Sequence, residues 1–209
     1  MIRNSIFSIF FFTGIMIISL IFLPSFFLPQ KIVLLGGKLM GYWTGFCLEF
    51  FLSTKIVIKG SENIVKNEKF FIAATHQSMF ETFYLQTIFN SPVFILKKEL
   101  LLIPIFGWYL KKIGSVAIKR NEISKDNLKF YDLISNIISN SNRPIIIFPQ
   151  GTRLNPGEKN TLGPGVSALY KTLSIPVVPV THDSGKYWIN KKFAKKKGKI
   201  KVKIFPPIM

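Results

Sequence analysis

Two histidines occur among the 209 residues, His76 and His182, and each has a carboxylate nearby in sequence. His76 follows the apolar run Phe70-Phe-Ile-Ala-Ala74 and precedes Glu81 by five residues. A helix beginning near Ser78 puts Glu81 in its first turn, from which the side chain can fold back to the imidazole. A carboxylate on one ring nitrogen fixes the tautomer and supports the imidazolium that forms on proton uptake, leaving the other nitrogen as a general base. Spacing alone says little. With 10 acidic residues in the chain, any position is acidic about one time in twenty, and a histidine at a strand end is commonly a satisfied structural residue. His182 is followed at once by Asp183, and because sequence neighbours face different ways this pair reads as turn residues.

A second cluster, Phe148-Pro149-Gln150-Gly151-Thr152-Arg153, closes the apolar run Pro144-Ile-Ile-Ile-Phe148. Gly151 permits tight backbone, and Thr152 offers a hydroxyl. Arg153 presents a planar fork that binds phosphate bidentately and stays protonated. Gln150 can hold a hydroxyl through hydrogen bonds but cannot act as a base. A third cluster, Gly114 to Arg120, delivers Lys119 and Arg120 at a strand end; Lys97 and Lys98 end another strand. Either pair can face a phosphate or stand in solvent. The fourth, Ile175-Pro-Val-Val-Pro-Val180, carries no chemistry and reads as an edge or a wall beside a cleft. His76 with Glu81 is too sparse for zinc, so no metal is expected. The single cysteine, Cys47, excludes a disulfide framework. No serine is spaced from both a histidine and an acid as a hydrolase triad requires.

The elements that must position these residues alternate. Strands are expected over 55–59, 70–74, 92–96, 115–118, 144–148, 176–180 and 199–205. Helices are expected over 79–89, 99–113 with Pro104 and Gly107 breaking its regularity, 124–138 with Ser124 as cap, and 163–173. This is an α/β pattern: a mostly parallel or mixed central sheet flanked by helices, with polar residues just past the strand C-termini forming the site. Ahead of it, residues 4–30 carry no charge, a run long enough to span a bilayer and too long for the core of a signal peptide. A second apolar stretch, 32–52, contains Lys38, Glu49 and several glycines and reads as a helix in or against the membrane interface. The division is therefore 1–52, anchoring helices, and 53–209, the α/β domain.

A net charge of +18, from 28 Lys+Arg against 10 Asp+Glu, suggests nucleic acid at first sight. Lysine far outnumbers arginine, and the abundance of Lys, Asn, Ile and Phe also matches an AT-rich coding bias. The remaining excess favours anionic partners: a phospholipid surface, phosphate esters, coenzyme A or an acidic carrier protein.

Taken in order, the clusters resemble the glycerolipid acyltransferase family, specifically the bacterial 1-acylglycerol-3-phosphate acyltransferases. Its first block, a histidine followed by four residues and an acid, is matched by His76-Gln-Ser-Met-Phe-Glu81. Its second, a glycine-led strand ending in arginine, is matched by Gly114 to Arg120. Its third, Phe-Pro-Glu-Gly-Thr-Arg, is matched by Phe148 to Arg153, and its fourth by Ile175 to Val180. Lys97-Lys-Glu-Leu100, Pro104 and Gly107 match the stretch between the first two. The likeness covers roughly 55–208. Glu81 replaces the usual aspartate and Gln150 a usual glutamate, and the family usually continues into a C-terminal helix beyond Phe205-Pro-Pro-Ile208.

The resemblance implies that His76, oriented by Glu81, deprotonates a lysophosphatidic acid hydroxyl as it attacks an acyl thioester, with no covalent enzyme intermediate and no cofactor beyond acyl-CoA or an acyl carrier protein as co-substrate. It implies phosphate binding by Lys97 and Arg153, with Lys119 and Arg120 adjoining. Gln150, Gly151 and Thr152 line the substrate, and Ser78 supplies local structure or a site hydrogen bond. The expected place is the inner membrane, with the α/β domain on the cytoplasmic side, an anionic membrane surface as partner and no nucleic acid. A sister enzyme acting on lyso-ornithine lipid or glycerol 3-phosphate, or a non-enzymatic basic membrane-binding protein, would share parts of this pattern.

Overall fold

The computed structural model describes residues 2–66, 68–118, 126–158 and 162–209. Lys119, Arg120 and the expected cap Ser124 lie outside them. Two long helices open the chain, α1 (Ile2–Ile21) and α2 (Gln30–Leu52), joined through a 3-10 turn at Leu23–Phe27. Pro24 is the second residue of that turn and Pro29 caps α2, positions where a missing N–H is no loss. There follow β1 (Thr54–Lys59), β2 (Phe71–Ala74), α3 (Phe80–Ile88), β3 (Val93–Lys97), α4 (Phe106–Lys112) and β4 (Val116–Ile118). The chain then forms α5 (Asp126–Asn140), β5 (Ile145–Ile147), α6 (Gly165–Leu173), β6 (Val177–His182) and β7 (Gly198–Ile204).

The seven strands form one mixed sheet in the order β1-β7-β6-β2-β5-β3-β4. The run from β6 to β4 is parallel; β7 is antiparallel to β6 and carries β1 parallel to itself. All five parallel strands therefore end on one edge. The central strand β5 is buried on both sides: Ile146 points into the core shared with α1, α2 and α3, while Ile145 and Ile147 point into the core shared with α5 and α6. This is why the run reads as continuously apolar rather than alternating. In β7, by contrast, Ile200, Val202 and Ile204 are buried while Lys199, Lys201 and Lys203 face out, because among the described residues no helix covers the far face there.

α1 has the length and apolar composition to cross a membrane, yet it is also part of the core. Phe7 and Phe11 are fully buried, stack on each other at 5.6 Å, and meet the Trp188 ring edge-on at 5.3 and 5.1 Å. In α2, Gly41 lets the helix close onto α3, since a Cβ there would lie 2.7 Å from the Phe83 carbonyl oxygen.

The helix expected over 99–113 is instead two pieces: a 3-10 turn at Lys98–Leu102 and α4. Between them Ile105 sits at φ 63°, ψ −58°, and Phe106 N–H donates to Pro104 O at 2.6 Å, a γ-turn of the rare positive-φ kind. Proline removes a helical donor and biases its predecessor away from helix. Gly107 is then required, because a Cβ would lie 2.2 Å from the Leu101 carbonyl oxygen.

Candidate active site

β2 ends at Ala74, and the turn that follows runs straight into α3, with Glu81 as the second helical residue. The glutamate is fully buried. Its Oε1 accepts the backbone N–H groups of Gln77 at 2.7 Å and Ser78 at 2.8 Å, and lies 2.9 Å from His76 Nδ1. Its Oε2 accepts the hydroxyls of Ser78 at 3.0 Å and Ser184 at 3.3 Å. Free N–H groups at a helix start favour an anion. Burial pushes the Glu81 carboxyl up, but the His76 hydrogen bond, the two histidines and the Ser78 N–H outweigh it and bring it down to about 2. An ionised Glu81 accepts only, so His76 Nδ1 carries the proton and Nε2 is left able to accept one. The ring stacks on Phe148 at 4.2 Å and 17°, and its side chain keeps 15% exposure. It is therefore held in one orientation yet reachable.

The Phe148 to Arg153 segment fastens the histidine backbone. Gly151, at φ 65°, closes the turn by donating to Phe148 O at 2.9 Å. Gln150 Oε1 accepts the His76 N–H at 3.0 Å, and Leu154 N–H donates to His76 O at 3.0 Å. The amide at position 150 is thus an anchor for the His76 backbone, a task its carboxamide oxygen performs as a neutral acceptor. Thr152 is exposed. Arg153 is half-buried, and its Nε is shut from solvent with no hydrogen-bond partner among the described residues. Burial lowers its pKa and Glu81 opposes that shift; arginine stays a cation. Lys97 closes β3, exposed, on the same sheet edge.

His182 is not a turn residue. It ends β6, 5% exposed, where its N–H donates to Thr75 Oγ1 at 3.1 Å and its Nε2 donates to Thr75 O at 2.9 Å. That same Nε2 is 3.8 Å from Glu81 Oε2. Burial pushes its pKa down, while Glu81 and the Thr75 carbonyl pull it up; the net direction is down. Ser184, fully buried, shares a hydrogen bond with Ser78 Oγ at 2.8 Å, and Gly185 N–H donates to Gln77 Oε1 at 3.0 Å. The residues just past β6 therefore brace the far side of the His76–Glu81 turn, over a separation of about a hundred residues. One signal in the sequence pointed there. The apolar run at Val177 continues as Thr181-His182 before its first loop residue, so a strand two residues longer was open to view. Asp183 faces away, its Oδ1 accepting Lys201 N–H at 2.7 Å.

Fold and site define a class of protein: an α/β sheet that carries, at its carboxyl edge, a histidine oriented by a buried carboxylate, beside an arginine. A family model described as Acyltransferase matches residues 55–183, and the chain belongs to that family. It is 36% identical over 149 residues to the 1-acyl-sn-glycerol-3-phosphate acyltransferase of Pseudomonas aeruginosa, a match covering 71% of this chain and 57% of that protein. It is 28% identical over 119 residues to the protein of the same name in Streptococcus pneumoniae, covering 56% of this chain and 42% of that one. The chain thus spans about half the length of these relatives. Its fold is that of the 1-acyl-sn-glycerophosphate acyltransferase of Thermotoga maritima, with TM-score 0.77 at 23% identity over 99% of this chain and 86% of that one.

Proposed function

We propose that the chain transfers an acyl group from a thioester, acyl-CoA or an acylated carrier protein, to the sn-2 hydroxyl of 1-acylglycerol 3-phosphate, yielding phosphatidic acid for phospholipid synthesis. The observation that carries this reading is the locked pair: Nδ1 of His76 at 2.9 Å from a buried carboxylate, with Nε2 left as base on a reachable ring. Nε2 takes the hydroxyl proton as the oxygen attacks the thioester carbonyl. The C–S bond breaks, and the leaving thiolate takes the proton back from the imidazolium, so the enzyme ends unchanged. Glu81 stays ionised throughout and steadies the transient imidazolium.

Arg153 and Lys97 hold the acceptor phosphate; Lys119 and Arg120, outside the described residues, are assigned to it by the family resemblance alone. The unpartnered buried Nε of Arg153 supports that role, since a buried guanidinium donor calls for an anionic acceptor. The hydrophobic α1 keeps the domain at the inner membrane on its cytoplasmic side, where the acceptor lipid lies and an anionic surface attracts the basic chain. Complementation of a strain lacking the second acylation of phosphatidic acid synthesis tests the reading. Wild type should rescue, and His76→Ala should not; rescue by His76→Ala would refute the base. Arg153→Ala should raise the KM for lysophosphatidic acid about 10- to 100-fold, as loss of a charge-assisted phosphate contact does. Faster acylation of lyso-ornithine lipid than of lysophosphatidic acid would reassign the acceptor.

A further inference from the structure

The segment between Lys97 and α4 is exposed and strongly apolar. Leu102 is 77% exposed, and Ile103, Phe106 and Trp108 are each more than 40% exposed. Contiguous apolar surface of this kind marks an interaction site rather than ordinary solvent-facing chain. The segment is not a loose loop. α4 is fastened to the turn between α1 and α2: the Phe26 ring meets Trp108 at 6.1 Å and Tyr109 at 4.7 Å. Tyr109 OH donates to Ser19 O, Lys112 Nζ donates to Phe26 O at 3.0 Å, and Gln30 Nε2 donates to Lys112 O at 3.0 Å. In that same turn Phe27 is 94% exposed. The hairpin tip and the 102–108 segment therefore form one continuous apolar end. The left-handed Ile105 makes the chain reverse there, turning residues that a regular helix would have spread around its circumference into a projecting lip.

Charge is arranged to match. Lys97 and Lys98 precede the lip and Lys111 follows it, all exposed. Apolar and aromatic side chains flanked in sequence by three lysines, with Glu99 the one acid between them, fit a lipid headgroup boundary, with rings at the interface and ammonium groups at the phosphates. We infer that residues 102–108 are a second membrane-insertion element, continuous with the helical hairpin, which brings the bilayer surface to the residue next to Lys97. This rests on the acyltransferase reading for its consequence. An acceptor lipid sliding from the leaflet along the lip meets Lys97 with its phosphate while its acyl chain is still among apolar side chains.

Spin labelling tests the placement. A nitroxide is attached at Leu102→Cys in the full-length chain carrying Cys47→Ala, bound to vesicles of phosphatidylethanolamine and phosphatidylglycerol. References are Leu20→Cys on α1 and Lys171→Cys on α6, across the sheet. The label at 102 should resemble that at 20, quenched by oxygen more than by a water-soluble nickel chelate, and the label at 171 should show the reverse. A label at 102 that behaves like 171 overturns the inference. In a second measurement, Leu102→Asp combined with Ile103→Asp should raise the KM for vesicle-borne lysophosphatidic acid about tenfold while turnover of a monodisperse short-chain acceptor stays within about twofold. Equal loss on both acceptors also overturns it. A parent chain that acylates no lyso-lipid refutes the proposed reaction, while the label at 102 still decides the insertion.

Discussion

The ends of β2 and β6 each offer a histidine to the same carboxylate, and they use it in opposite ways. His76 gives Nδ1 to Glu81, keeps part of its ring open and rests on Phe148. His182 is sealed in, spends Nε2 on the Thr75 carbonyl, and approaches Glu81 no closer than 3.8 Å. The ring that is partly open has one nitrogen fixed and one available. The other is a neutral brace. A histidine beside a carboxylate is thus not by itself a catalyst; access and the partner of the second nitrogen decide.

His76→Ala should break the comparison most sharply. It removes the proposed base, so kcat should fall about 10³-fold; it also takes a hydrogen-bond partner from the buried Glu81 and a ring from Phe148, so the melting temperature should fall by about 2–4 °C. Stopped assays over long times with vesicle-borne acceptor can read a drop of that size. Glu81→Gln keeps the shape but lets the amide dictate another tautomer, and kcat should fall about 10²- to 10³-fold. It should also change acid sensitivity. The folded carboxyl lies at about 2 against an ordinary 4.5. The stability it contributes is therefore fully present above 4.5 and is lost as pH falls towards 2, roughly 3 kcal/mol in all. Denaturant titrations between pH 6 and 3 should show the parent losing more than half of this increment and the variant lacking it.

His182→Gln should cost only about tenfold in kcat and leave KM near its parent value, since the residue acts through Glu81. The folded imidazole titrates below its ordinary 6.5, so its neutral form stabilises the fold above 6.5 and that contribution is lost as pH drops below it. The variant should show a flatter stability profile just under pH 6.5 than the parent. Ser184→Ala should have the smallest effect, about threefold on kcat, because Oε2 keeps the Ser78 hydroxyl and Oε1 keeps all three of its partners. A Ser184→Ala loss as large as that of His76→Ala would show that the β6 brace matters as much as the base.

Much of this was legible from residue order. The apolar run 144–148 fits a strand buried on both faces, and the alternation from Lys199 to Ile204 fits a strand with one open face. His76 and Glu81 meet because a strand end and the first turn of a helix lie side by side. Gln150 is limited by its chemistry to hydrogen bonding, but that its Oε1 would take the His76 N–H was not visible in the residue order. The γ-turn at Ile105 was less legible: Pro104 announced a break, but whether the chain kinks or reverses depends on the packing of α4 against the α1–α2 turn.

By itself, then, the sequence determined what short-range physics controls: the α/β alternation, the hydrophobic helices, and a histidine–glutamate pair that one turn brings together. Only the tertiary structure decided that His182 and Ser184 close on the same carboxylate. That contact exists because β6 pairs with β2 in register, Val180 opposite Ala74, and no local preference of either segment specifies which of several apolar strands becomes its neighbour. Strand order is chosen by burial of the whole sheet, and so the far side of the site was set by the fold as a whole.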